Sequence, residues 1–247
     1  MSKDSRSNRD KAAALRAARA RTARRRRWRL AGVLTIVLAV TVGGAIWYAG
    51  QDPTGQRTAS SGGAHSGVPS GADGYGVVIG QPDAPTSAVI YEDFQCPVCK
   101  AFEDAGAQPI DVGIARGELR VEYRIVSFLD AASANQYSSR AANAAAAVLD
   151  TAGVEAFKEF HDTLFANQPA EGTLGPDNGQ LIAWAVDSGA DAAAVSQLIQ
   201  DGTFDQWVVD ATDAMSKDGV NGTPTIVIDG RKLGAGAGLQ RLQETVR

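Results

Sequence analysis

Cysteine and histidine are almost missing from this chain, with two of each in 247 residues. Two cysteines cannot build the disulfide framework that holds small secreted domains together. They cannot complete a four-ligand structural zinc site either, because the pair supplies only half of it. Charge is missing from residues 30–49, LAGVLTIVLAVTVGGAIWYA, a run of 20 positions. No cysteine lies near that run, which excludes a lipid-modified cysteine as anchor. No internal repeat is present, so the chain is not a repeat array.

The net charge of -4 conceals an asymmetry. Residues 1–29 hold 12 Lys/Arg against 2 Asp/Glu, whereas the rest holds 12 against 26. Two segments so different in sign are expected to face different surroundings. As a helix, the uncharged run would be about 30 Å long, the thickness of a bilayer's hydrocarbon core. Trp28 and the pair Trp47-Tyr48 flank it as interfacial aromatics do, and Arg24 to Arg27 and Arg29 precede it. The positive-inside rule then puts the N-terminus in the cytoplasm and everything after residue 49 outside. The expectation is a retained single-pass anchor in the cell membrane; the rival is a signal peptide cleaved near Gly43-Gly44-Ala45. The basic tail sets topology or rests on anionic lipid, and a nucleic-acid role is not expected.

Residues 50–75 follow, with Gly, Ser and Pro at 13 of 26 positions. Such a segment buries no core and is expected to be a flexible tether, reaching about 25–31 Å as a Gly-rich coil. His65 lies in it and reads as a solvated linker residue. The folded part is expected from residue 76. Strands are expected at 77–79, 87–91, 119–128, 225–229 and 231–233. A helix is expected from the cysteines to about residue 116, broken or bent at Pro109. An Ala-rich block at 131–217 has apolar residues at helical spacing, with helices near 133–150, 154–166, 178–188, 191–200 and 203–217 and a break at Gly153. A last helix is expected at 239–246. The order is βαβ, a helical block, then ββα.

Both cysteines fall in EDFQCPVCKAFE, residues 92–103. A structural bridge across two residues closes too small a loop to stabilise much. His161, the only other soft ligand in the folded part, is expected to be an internally satisfied structural residue. A redox pair accounts for position as well as spacing. Cys96 would sit where a strand ends and a helix begins, and the free N–H groups there favour a thiolate. Cys99, one turn on, is placed to close the ring and release the partner. Pro97 suits the first turn of that helix.

The run Phe94-Gln95-Cys96-Pro97-Val98-Cys99-Lys100 after a buried strand resembles the DsbA-like branch of the thioredoxin superfamily, of membrane-anchored bacterial type. The likeness extends over about residues 76–247. Its second element is VNGTPTIVI, residues 220–228. In that family a Thr/Val-Pro pair with a cis bond precedes the third core strand and faces the cysteines. Thr223-Pro224 matches it. The family also inserts a helical domain between its second and third core strands, as residues 131–217 would. The resemblance implies an α/β thioredoxin fold with an inserted helical domain, and thiol–disulfide exchange on exported proteins. It implies Cys96 as attacking and Cys99 as resolving cysteine, supported by Pro97, Val98, Thr223 and Pro224. Val98 stands where the best-known oxidising members carry His, and it cannot stabilise a thiolate as His does.

The expected protein is a membrane-tethered oxidase that puts disulfides into exported proteins and is reoxidised by a membrane partner. It needs no bound cofactor or metal. The alternatives are a reductase or isomerase, or a non-enzymatic adaptor or copper carrier. Glu92 and Asp93 read as a solvated strand end or else a proton relay for Cys99, and Lys100 and Glu103 as surface residues. Phe94 reads as core. Trp184, Trp207, Phe157, Phe160, Phe165 and Phe204 read as the core of the inserted domain. The strand edge at Thr223 is expected to pair with an extended substrate segment.

Overall fold

A computed structural model describes residues 67–246. The basic tail, the expected anchor at 30–49, His65 and most of the tether lie outside the described residues. Among those described, no helix is long and apolar enough to cross a membrane.

The described chain runs β1 (Val77–Ile79), β2 (Thr86–Glu92), α1 (Pro97–Ala115), β3 (Leu119–Ile125) and a 3-10 turn (Asp130–Ala132). It continues with α2 (Tyr137–Ala166), α3 (Asn178–Asp187), α4 (Ala192–Asp201), α5 (Asp205–Lys217), β4 (Thr225–Ile228), β5 (Arg231–Gly234) and α6 (Ala235–Thr245). One sheet has the order β1-β3-β2-β4-β5. The central pair β2 and β3 is parallel, with Ile90 opposite Tyr123, and α1 makes the crossover that a parallel pair requires. All other pairs are antiparallel.

Alternation along β3 places Leu119, Val121, Tyr123 and Ile125 in the core, with Ala88 and Ile90 of β2 and Ile226 and Ile228 of β4. Helices α1 and α6 come close because glycine lines the contact. A Cβ at Gly113 would lie 2.5 Å from Val246, and one at Gly106 would lie 3.3 Å from Leu239. A smaller cluster unites Tyr91, Val126, Met215 and Val220. Helices α2 to α5 form the inserted block between β3 and β4. This is the α/β thioredoxin-like arrangement with a helical insertion that the resemblance implies.

Several boundaries differ from expectation. The folded part starts before residue 76: Pro69 is buried, Ser70 N–H bonds Asp150 at 2.8 Å, and the Trp207 indole donates to the Gly74 carbonyl at 3.0 Å. Residues 67–75 are therefore not tether. Pro109 neither breaks nor ends α1, because Phe102, Gly106, Ile110 and Gly113 hold one buried face across it. Strand β3 stops at Ile125, after which the Ser127 N–H turns to the Thr212 hydroxyl of α5 at 2.9 Å. The first helix of the block begins at Tyr137 rather than 133, because Asp130 accepts the Ser139 N–H at 3.0 Å and holds a separate turn. The expected break at Gly153 is present as a kink with φ 82°. The aromatic core of the insertion is as expected for the four Phe residues and Trp207, whereas Trp184 is only partly buried.

Candidate active site

Strand β2 delivers Glu92 and Asp93 into the interior and ends there. Asp93 then acts as a staple. Its carboxylate accepts the Gln95 N–H at 2.8 Å, the Leu129 N–H at 2.7 Å and the Ser138 hydroxyl at 2.7 Å, while its carbonyl accepts the Cys96 N–H at 2.9 Å. Burial pushes its carboxyl up to about 6 against those donors. The turn so fixed places Cys96 at the N-cap of α1, with extended backbone at φ -76° and ψ 116°, and Pro97 in the first turn.

Both cysteines are free thiols. Cys96 Sγ accepts the Cys99 N–H at 3.4 Å and lies 3.3 Å from the Thr223 carbonyl oxygen, to which the thiol donates. The Thr223-Pro224 bond is cis, as the resemblance implies. A hydrogen bond from Cys99 is the main influence lowering the Cys96 thiol to about 6; burial opposes it, and the Thr223 side chain and the N–H groups of Cys99 and Val98 add to it. Cys99 is fully buried, and burial first, then its bond to Cys96 and the charge of Glu92, push its thiol far up. At neutral pH the pair is thus a thiolate beside a thiol. Pro97 and Val98 are exposed, with Val98 52 % accessible.

Two glutamines join the cysteine turn to the loop after α2. Gln168 donates its amide to the carbonyls of Phe94 and Cys96 at 2.9 and 3.0 Å. Gln95 donates in return to the carbonyls of Pro169 and Ala170 at 3.1 and 3.2 Å. Sequence reasoning missed both, since nothing local marks residues 73 apart as partners.

Glu92 and Glu103 correct the sequence reading. Neither is solvated: Glu92 is 0 % and Glu103 4 % accessible. Glu103 lies four residues after Cys99, on the same buried face of α1. Burial pushes Glu92 up to about 8 and Glu103 well above the usual carboxyl range. His161, on α2, is fully buried and is satisfied as expected, but by two carboxyl groups: Nε2 lies 3.0 Å from Glu92 Oε2, and Nδ1 lies 3.0 Å from Asp162 Oδ1. The three side chains bring oxygen and nitrogen atoms within 4.8 Å of one another. Glu92 and His161 spend theirs on each other, so the cluster is a hydrogen-bonded one. Among the described residues, neither cysteine belongs to that cluster.

Comparison with known proteins agrees with this geometry. The family model described as thioredoxin matches residues 72–247. The reduced form of the disulfide bond oxidoreductase DsbG from Mycobacterium tuberculosis superposes with a TM-score of 0.61 at 30% identity, covering 71% of this chain and 89% of that one. Disulfide bond formation protein D of Bacillus subtilis is 25% identical over 171 residues, 68% of this chain and 74% of the relative. The serine/threonine-protein kinase PknE of Mycobacterium tuberculosis is 29% identical over 158 residues, 61% of this chain. This chain spans only 28% of the kinase's length. The Mycobacterium neighbour is a disulfide bond oxidoreductase and the Bacillus relative a disulfide bond formation protein, and the chain is homologous to that DsbA type.

Proposed function

This chain belongs to the thioredoxin family, and from that premise we propose that it is an extracytoplasmic thiol–disulfide oxidase that introduces disulfides into exported proteins. The observation that carries the proposal is the asymmetry of the pair. Cys96 is held down to about 6 at a helix N-cap beside Thr223, and Cys99 is buried and held protonated. A disulfide whose reduced form is stabilised in this way tends to pass itself on to a substrate.

The reaction starts from the Cys96–Cys99 disulfide. A substrate thiolate bonds to Cys96 Sγ, and the electron pair of the broken bond goes to Cys99, which takes up a proton. A second substrate thiolate attacks the first substrate sulfur, closes the substrate disulfide and releases Cys96 as thiolate. The carbonyl of Thr223 lies beside Cys96 and is the edge on which an extended substrate backbone would pair. Reoxidation falls to a membrane redox partner. Residues 30–49 anchor the domain on the outer side, and the tether keeps it near that partner at raised effective concentration.

The test is the reduction potential of the full-chain protein, obtained by equilibration with glutathione buffers. An oxidase gives a potential well above that of the glutathione pool and oxidises a reduced, unfolded cysteine protein in a Cys96-dependent way. A potential well below the pool overturns the direction and makes the protein a reductant. Exchange that survives Cys96→Ser overturns the site.

A further inference from the structure

Cys99 must gain a proton in one half of the cycle and lose it in the other, yet it is sealed from water. Its path to solvent is set by what surrounds it. Glu103 is one helical turn away on the same buried face, and the charge of Glu92 bears directly on Cys99. Three carboxyl oxygens of this pair, Glu92 Oε1 and both of Glu103, have no donor among the described groups. Two buried carboxyls with these three oxygens unpaired are satisfied when they share a proton. From Glu92 the hydrogen bonds continue through the His161 ring to Asp162, both at 3.0 Å. Asp162 is 45% accessible and is pinned by Lys158 at 2.6 Å, which also pairs with Asp111 at 3.4 Å.

We infer that His161 is a proton relay that connects the buried Glu92–Glu103 pair under Cys99 to solvent at Asp162. The inference rests on the exchange reaction proposed above and adds a route to it. When the Cys96–Cys99 bond opens, the Cys99 sulfur takes a proton from the carboxyl pair. That leaves two desolvated carboxylates, a state the interior resists. The imidazole resolves it by accepting a proton at Nδ1 from the Asp162 side and releasing the one at Nε2 to Glu92. On reoxidation the same path runs outward. Cys99 gives its proton to the pair, its thiolate attacks the mixed disulfide with the oxidising partner, and the proton leaves at Asp162. One proton crosses per half-cycle, and the electron pair stays on sulfur throughout.

The groups around His161 suit this role. Glu92 faces it from β2 and Glu103 lies beside it from α1, while Lys158 and Asp162 share its own helix. Tyr123 of β3 lies against the ring with centroids 4.8 Å apart, and its hydroxyl has no partner among the described residues. Phe94, Phe157 and Phe165 pack round the remaining sides. The apolar wall keeps water from bypassing the ring, so the imidazole is the connection.

The experiment follows reduction of the oxidised full-chain protein by dithiothreitol across pH, in His161→Gln, His161→Ala and the surface variant Asp162→Asn. His161→Gln keeps a bond to Glu92 but cannot pass a proton through. The relay predicts a rate loss of roughly 10- to 100-fold for it at pH 7, a smaller loss for Asp162→Asn, and in both an altered pH profile with an unchanged potential. Added imidazole restores His161→Ala, whereas pyrrole, the same shape without an acceptor nitrogen, does not. Equal rescue by pyrrole makes the ring a packing element and overturns the relay. Wild-type rates in folded His161→Gln and Asp162→Asn overturn it as well, as does a stoichiometric divalent metal held by Glu92, Glu103 and His161. Should the wild type itself fail to exchange with dithiothreitol, it is the oxidoreductase reading that falls.

Discussion

The sulfur of Cys96 accepts the backbone N–H of Cys99 at 3.4 Å, while the Cys99 side chain itself is fully buried. Cys96 keeps 4 % of its surface accessible and Cys99 none, so one cysteine is a narrowly accessible anion and the other a sealed acid. Iodoacetamide should label only Cys96 in the reduced folded protein, with a rate that rises through a midpoint near pH 6. Cys99→Ala removes the main influence lowering Cys96, so the midpoint should climb and the rate at pH 6 should fall on the order of tenfold. The sign for stability follows from the same shift. A lowered thiol stabilises the reduced fold fully above its ordinary value of 9.0, and that contribution is lost as pH falls through about 6. A labelling midpoint near the ordinary thiol value would remove the basis for this account.

Glu92 works in the opposite sense. Its carboxyl ionises at about 4.5 when the chain is unfolded and at about 8 when folded. Between those values the folded state holds the extra proton, so stability is full below 4.5 and is lost as pH rises toward 8. Glu92→Gln keeps a partner for His161 without the charge. Urea unfolding should show the variant more stable than wild type by about 4 kcal/mol at pH 8, with near-equality at pH 4.5. Parallel stability–pH curves for the two proteins would contradict a buried, proton-holding Glu92.

Much of this was legible in the sequence, for local reasons. The period-2 pattern of LRVEYRI announced β3, and Cys-Pro-Val-Cys after a β-branched run announced a strand-to-helix turn. Gly153 announced the kink in α2. What stayed hidden depends on partners distant in the chain. Glu103 read as solvated, and Glu92 as solvated or else a proton relay for Cys99, because charged residues seldom go inside, and only the fold brings His161 to Glu92 from 69 residues away. A sharper reading of spacing would have found part of it, since Glu103 follows Cys99 by one helical turn and so shares its buried face. Pro109 misled because a local penalty was weighed without the long buried face that carries α1 past it.

The reciprocal amides of Gln95 and Gln168 fasten the cysteine turn to the inserted block at two points. Gln168→Ala leaves the Phe94 and Cys96 carbonyls without their side-chain donor and should cost about 1–2 kcal/mol. Gln95→Ala should cost a similar amount. Because both hold one contact, the double variant should lose less than the two single losses added together. Limited proteolysis should cut within residues 167–177 sooner in either variant. Strict additivity with unchanged cleavage would mean that the two amides act separately and do not fasten the loop.

Val98 supplies the last lever. Its backbone N–H helps to lower the Cys96 thiol, but its side chain is 52 % accessible and offers no donor. A histidine at this position adds a cationic or hydrogen-bonding ring next to the thiolate without disturbing any core contact. The reduced form gains stability while the disulfide does not, so the disulfide becomes the stronger oxidant. For this two-electron couple 1.4 kcal/mol corresponds to about 30 mV, and Val98→His should raise the potential by roughly that amount. The labelling midpoint of Cys96 should drop below 6 in the same variant, because one interaction drives both changes. A potential that rises with the midpoint unmoved would show that residue 98 acts through the geometry of the disulfide. If both stay where they are, the charge on Cys96 does not set the redox balance of this pair.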